Sequence, residues 1–258
     1  MLMIDFHSHI IPGIDDGAKS EEEALKLLNL AAASGTTKIV ATPHFFLGSY
    51  EEDFEAVKRK VQGLKTLVKE NNIPIEIFSG QEVFYTKYIL KQYGQGILGT
   101  INDTRYMLIE LSLHAFDTEE VLNDLYELQL KGIVPILAHP ERYRNFLKDP
   151  EAINPFIEEG FLFQLNTTSI DGTFGKEVKA LADRYTENNI YSLIGSDAHN
   201  FHMRNTDMSK GLSILQKKNP LLLRTIQEAS SKILINDEVY FEGLKIIKKK
   251  SFFNVFKK

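Results

Sequence analysis

The chain has 258 residues, a mass of 29.4 kDa and 43% apolar residues, enough for one large α/β barrel or two small domains with a buried core. A net charge of −5 and a pI near 5.9 give no cationic field to draw in nucleic acid, and no nucleic-acid partner is expected. Cysteine is absent, which excludes disulfides, thiolate metal sites and a cysteine nucleophile, so chemistry here must use oxygen and nitrogen ligands.

Short β-branched, apolar runs alternate with longer segments of helical period, the pattern of repeated βα units. The first strand is expected near residues 3–7 and runs into "IDFHSHIIPGIDDG", which carries His7 and His9 one residue apart. Alternation along a strand turns both imidazoles to the same side, so both can reach one cation. Asp5 or a nearby carbonyl is a candidate to orient one of them. Ser20 and Glu23 read as a capping box, and Gly35 is placed to stop the helix after Ala31, Ala32 and Ala33.

Further strands are expected near 37–42, 75–79, 105–110, 133–138, 161–166 and 190–195. Between them, a helix over about 51–71 has Phe54, Val57, Val61, Leu64 and Val68 on one stripe, and one over 118–131 has Val121, Leu122, Leu125 and Leu128. His44 follows the second strand, Glu82 the third, His139 the fifth, and Asp197 and His199 the seventh, while Glu110 ends the fourth. In a parallel barrel all those carboxyl ends share one rim, where active sites are built. Windows of about six residues after seven strands cover roughly a sixth of the chain, so about one of its seven histidines should fall in them by chance. Five do, which points to a shared metal cluster. Histidine with carboxylate suits Mn, Fe or Zn.

The His-x-His start, the "DDG" after it, "TPH", "GQE", "HPER" and "SDAH" resemble, nearly end to end, the polymerase and histidinol phosphatase (PHP) superfamily. Within it, "IDFHSHIIPGIDDGAKS", "LAHPERY" and "GSDAHN" are similar to the bacterial manganese-dependent protein-tyrosine phosphatases of the CpsB/CapC type. The resemblance implies a distorted (β/α)7 barrel of the TIM-like PHP fold holding three divalent cations, Mn2+ first. His7, His9 and Asp197 would hold one, Glu82 would bridge to a second held by Glu110 and His139, and Asp16, His44 and His199 would hold the third. Chemistry alone leaves Asp15 and Asp16 as alternatives; the family's aspartate before glycine favours Asp16, with Asp15 as a turn or cap residue. It also implies hydrolysis of phosphotyrosine on a membrane-associated bacterial tyrosine kinase that regulates capsular or exopolysaccharide synthesis. Arg142 and Arg204 each follow a ligand motif and are candidates to grip the phosphoryl oxygens. Pairing with Glu141 or Asp207 is the ordinary alternative for them.

Two other functions are weighed: a small-molecule phosphomonoesterase such as histidinol-phosphate phosphatase, and a non-catalytic metal-containing regulatory protein. His114 is read as a loop residue at the entrance and His202 as a surface residue. No linker divides the chain, so one barrel domain is expected over 1–243, followed by a basic and aromatic tail over 244–258, "LKIIKKKSFFNVFKK". Lysines beside aromatics suit an anionic membrane surface. With no spanning segment and no signal peptide, the expected location is cytoplasmic, with a peripheral place on the inner membrane face as the variant the tail allows.

Overall fold

Seven parallel staves form the sheet, and two of them are broken part-way. A computed structural model describes residues 3–248. Strand β1 (Met3–Ser8) leads through helix α1 (Glu21–Ala33) to β2 (Thr36–Ala41). Beyond Thr42 and Pro43 the second stave resumes as β3 (His44–Phe45), and helix α2 (Phe54–Glu70) follows. The third stave, β4 (Glu76–Ser79), likewise resumes as β5 (Glu82–Phe84). Glu82 N donates to Pro43 O at 3.0 Å and Gly80 N to Ala41 O at 2.9 Å, so the two broken staves stay together across the interruption.

The chain continues through α3 (Ile89–Gly94), β6 (Tyr106–Glu110), α4 (Thr118–Leu130) and β7 (Val134–Ala138). Two short helices, α5 (Arg144–Lys148) and α6 (Asn154–Glu158), precede β8 (Leu162–Asn166). Helices α7 (Thr167–Asp171) and α8 (Lys176–Glu187) then lead to β9 (Leu193–Gly195), and α9 (Ser209–Lys218) and α10 (Pro220–Leu234) complete the fold.

Strand order is β1-β2-β4 in one sheet and β3-β5-β6-β7-β8-β9 in the other, every pairing parallel. The ends meet where Ser8 bridges Ala198 and Asp197 N donates to His7 O at 2.7 Å. The seven expected strands are these seven staves, and the breaks in the second and third put His44 and Glu82 in strands rather than in loops.

Helix ends follow the sequence signals. Ser20 Oγ accepts from Glu23 N, while the Glu23 carboxylate reaches back to Lys19 N, and Gly35 takes φ of +94° behind the helix. All five stripe residues of α2 are buried; in α4, Val121, Leu125 and Leu128 are buried while Leu122 lies half-buried at the edge. One apolar layer under α1 and α2 holds Leu27, Ile39, Val61 and Ile77, and a larger one under α4 to α9 holds Met107, Leu137, Phe163 and Ile194. A third holds Phe6, Leu108, Ile136 and Leu193, contributed by β1, β6, β7 and β9.

Residues 244–248, assigned to the tail on sequence, run along the barrel: Ile246 is buried and exchanges two hydrogen bonds with the Asn154 side chain. The rest of that tail, including Phe252, Phe253, Val255 and Phe256, lies outside the described residues. No helix among the described residues is long and apolar enough to cross a membrane.

Candidate functional site

At the carboxyl ends of the staves the barrel gathers nine side chains: His7, His9, Asp16, His44, Glu82, Glu110, His139, Asp197 and His199. They fall into four overlapping groups whose ligand atoms lie within 4.8 Å of one another: His7, His9 and Asp197; His7, Glu82 and His139; His44, Glu82 and Glu110; and His9, Asp16, His44 and His199. His7 and His9 thus belong to more than one group, a sharing that spacing along the chain does not reveal.

The Nε2 atoms of His7 and His9 stand 3.2 Å apart. His7 Nδ1 faces Gln164 Oε1 at 3.0 Å, and that oxygen also accepts from the backbone N–H of His139, so His7 must carry its proton on Nδ1. His9 Nδ1 faces Asp15 Oδ2 at 2.8 Å and donates to it. Both Nε2 atoms therefore face inward, away from their Nδ1 partners, where they can bind a cation once any proton on them is lost. Two ligands on one cation with about 2.1 Å bonds lie about 3 to 3.5 Å apart, the spacing seen here.

Glu82 is the hub. Its Oε2 lies 3.1 Å from His7 Nε2, 3.3 Å from His9 Nε2 and 2.9 Å from His44 Nδ1, while Oε1 lies 3.1 Å from His139 Nε2. Oε2 is fully buried and accepts no well-formed hydrogen bond, an orphan of the kind that a cation satisfies. Asp197 Oδ1 is 3.6 Å from both His7 Nε2 and His9 Nε2, and Asp16 Oδ1 is 3.3 Å from His199 Nε2 and 3.6 Å from His44 Nε2. Glu110 Oε1 lies 3.6 Å from His139 Nε2.

Electrostatics reflect the crowding. Glu110 is pushed up to about 9, by burial first and then by the charges of Glu82 and Asp197. Burial opposes charge on Glu82 and Asp197 as well, yet His7 and the other imidazoles, with Arg142 and Arg204 beside Asp197, hold both well below the usual carboxylate range. Burial, followed by the charge of Arg142, brings His139 down to about 4 and keeps its ring neutral.

Backbone strain aims two of these groups: His139 has φ of +29° and Asp197 of +53°, conformations that non-glycine residues rarely adopt. Gly195 must stay small, because a Cβ there would sit 2.4 Å from His7 Cβ. Arg142 Nη1 donates to Asp197 Oδ2 at 2.7 Å and Arg204 Nη2 to Asp197 Oδ1 at 2.6 Å, so both arginines grip one carboxylate at the edge of the cluster. The Arg142 guanidinium also lies 4.5 Å over the Phe174 ring.

The family described as capsular polysaccharide synthesis, CpsB/CapC, matches residues 3–235. The chain belongs to the CpsB/CapC family. It is 34% identical over 257 residues to the tyrosine-protein phosphatase YwqE of Bacillus subtilis, covering 98% of this chain and 100% of that one. It is 31% identical over 221 residues to the tyrosine-protein phosphatase CpsB of Streptococcus pneumoniae, covering 84% and 90%. Among solved structures, work on YwqE and CpsB as metal-dependent tyrosine phosphatases supplies a chain that superposes with a TM-score of 0.90 at 31% identity, covering 95% of this chain and 100% of the other. The histidinol phosphate phosphatase of Lactococcus lactis shares the fold at a TM-score of 0.54 and 15% identity, covering 84% and 94%.

In this CpsB/CapC chain several contacts differ from the sequence expectations. Strand β1 carries one extra residue opposite β2, since Asp5 pairs with Ile39 but Ser8 with Ala41. Such a bulge breaks simple alternation. Asp5 accordingly binds the backbone N–H groups of His7 and Ser196 and the Ser196 hydroxyl; it touches no imidazole. Orienting His7 falls instead to Gln164, a residue that no motif singles out. Asp15 is more than a turn residue, because Oδ2 accepts from both His9 Nδ1 and His44 N while Oδ1 caps Gly17 N.

Glu141, the "E" of "HPER", is buried and binds Asn166 N and the Tyr191 hydroxyl, so it is unavailable to Arg142. Neither arginine pairs with Asp207. His114 and His202 are exposed and stand outside the four groups.

Proposed function

We propose that this chain is a metal-dependent protein-tyrosine phosphatase whose cations are held by His7, His9, Asp16, His44, Glu82, Glu110, His139, Asp197 and His199. One ion would be held by His7, His9 and Asp197, a second by Glu110 and His139 together with Glu82, and a third by Asp16, His44 and His199. The observation that carries this reading is the pair of inward-facing Nε2 atoms on His7 and His9 beside the orphaned Glu82 Oε2. The all-nitrogen-and-oxygen donor set suits manganese, with iron or zinc as the alternatives.

Bound divalent ions supply Lewis acidity toward phosphoryl oxygens and make water a nucleophile near neutral pH. The protein's own groups do the rest. Arg142 and Arg204, already aimed at the cluster through Asp197, bind the phosphoryl oxygens and stabilise the charge that grows on them. Gln164 and Asp15 hold His7 and His9 in the tautomer that presents Nε2 inward.

Family membership, with relatives named tyrosine-protein phosphatases, supports phosphotyrosine on protein as the substrate, and we assign the kinase of a capsular or exopolysaccharide system as its source. Elemental analysis paired with rates on a phosphotyrosine peptide and on histidinol phosphate tests the reading. Bound manganese with a strong preference for the peptide is expected; preference for histidinol phosphate would replace this function with that of a metabolite phosphatase, and absent turnover in a loaded protein would make it a regulatory metal protein.

Two smaller effects follow. Asp15→Asn removes the charged acceptor behind His9 and is expected to weaken manganese binding about 10- to 100-fold in a metal titration, with the fold retained. A barrel domain ending in a basic tail that touches the membrane's inner face predicts that deleting residues 249–258 lowers binding to anionic vesicles severalfold in a sedimentation assay without changing turnover. Unchanged vesicle binding would dispose of the membrane contact.

A further inference from the structure

Outside the ligand cluster, the mouth of the barrel carries a pair of aromatic rings that neither folding nor metal binding accounts for. Phe46 and Phe84 stack with centroids 4.3 Å apart and planes 28° from parallel. Phe46 nevertheless remains 37% exposed, beside Leu47 at 41%. An apolar pair left in water at the edge of a polar site invites an apolar ligand.

Register fixes where this pair stands. His44 lies opposite Glu82 and Phe45 opposite Val83, so Phe46 and Phe84 form the next step up the same two strands. Side chains two residues apart share a face, which places Phe46 over His44 and Phe84 over Glu82, roughly 6.6 Å nearer the mouth. Phe84 is also the strand neighbour of Glu110. The lip is pinned rather than loose: Phe46 N donates to Tyr50 O at 2.7 Å and Tyr50 N to Phe46 O at 2.8 Å, and the Tyr50 ring lies 13° from parallel to that of His44.

We infer that the Phe46–Phe84 pair is the platform for the aromatic ring of the substrate, and that it selects aryl over alkyl phosphate esters. The inference rests on the phosphatase reading above and names the residues that set its substrate class. In an aryl phosphate one oxygen separates phosphorus from the ring, so phosphate held among the ligands puts the ring at the level of Phe46. A phosphoserine brings its main chain to that level instead and leaves the exposed face of Phe46 without a partner. Offset stacking on such a face adds attraction beyond the area it buries.

The test compares phosphotyrosine and phosphoserine peptides of one sequence on wild-type, Phe46→Ala, Phe46→Leu and Phe46→Tyr proteins loaded with manganese. It also measures the affinity of each protein for a non-hydrolysable aryl phosphonate peptide. The tyrosyl-to-seryl ratio of kcat/KM is expected to fall about tenfold in Phe46→Ala, with a matching loss of phosphonate affinity, to fall less in Phe46→Leu and to recover in Phe46→Tyr. A ratio unchanged by Phe46→Ala, or a wild-type enzyme without aryl preference, overturns the platform. Wild-type protein that binds the aryl phosphonate but turns over neither peptide sinks the phosphatase reading and leaves the platform standing.

Discussion

Exhaustive chelation is expected to lower turnover of an aryl phosphate by about a thousandfold or more, and added manganese to restore it. Several kcal/mol of transition-state stabilisation come from cations in a site of this kind, and each 1.36 kcal/mol is a factor of ten. Nothing else in the site compensates, since the nine gathered side chains include no cysteine and no serine poised on a base. Stability should fall with activity, because a ligand that binds only the folded chain stabilises it by about 4 kcal/mol at a thousand times its dissociation constant. A lowered melting temperature after chelation, reversed by manganese, is the accompanying readout.

The same site gives metal uptake a pH dependence of known sign. In the metal-free protein Glu110 is pushed up to about 9 by burial and neighbouring carboxylates, and His9 lies well above its usual value because Asp15 overrides burial. Both must lose a proton to act as ligands, so binding releases protons and affinity rises with pH up to about 9, where Glu110 ionises. Full activity after chelation, with metal below one ion per chain, would reject the metal mechanism.

Replacing either arginine is the second large effect. Arg142→Ala and Arg204→Ala are each expected to lower kcat/KM by about 10²- to 10³-fold, the usual consequence of losing one donor to developing charge. Lysine at either place should recover little, because a point charge does not reproduce the guanidinium fork. Both side chains also hold Asp197, at 2.7 Å and 2.6 Å, so metal content must be measured alongside rate. Retained metal with lost turnover is the expected pattern. Turnover and metal content both intact would remove the arginines from phosphate binding, and parallel loss of metal and turnover would make them positioning residues for Asp197.

Much of the barrel is legible in the sequence because its signals are local. A β-branched run such as "TKIVAT", a capping serine such as Ser20 or an apolar stripe such as that of α2 depends on neighbours a few residues away. The placement of His44, Glu82, Glu110, His139 and Asp197 is legible for a related reason: each lies at or just beyond the carboxyl end of a strand, and a parallel sheet sends all such ends to one side.

What the chain order determined, then, is which side chains arrive at the rim; what the closed ring decided is which of them meet. His7 and His9 share a group with Asp197, and His9 one with His199, because β9 returns beside β1, bridging Ser8 to Ala198. Gln164 behind His7, the two arginines on one aspartate and Phe46 against Phe84 join positions distant in sequence, whose types carry no mark of their partners. Asp5 departs from alternation because a single extra residue in β1 arises from pairing between strands, which periodicity within one strand does not encode.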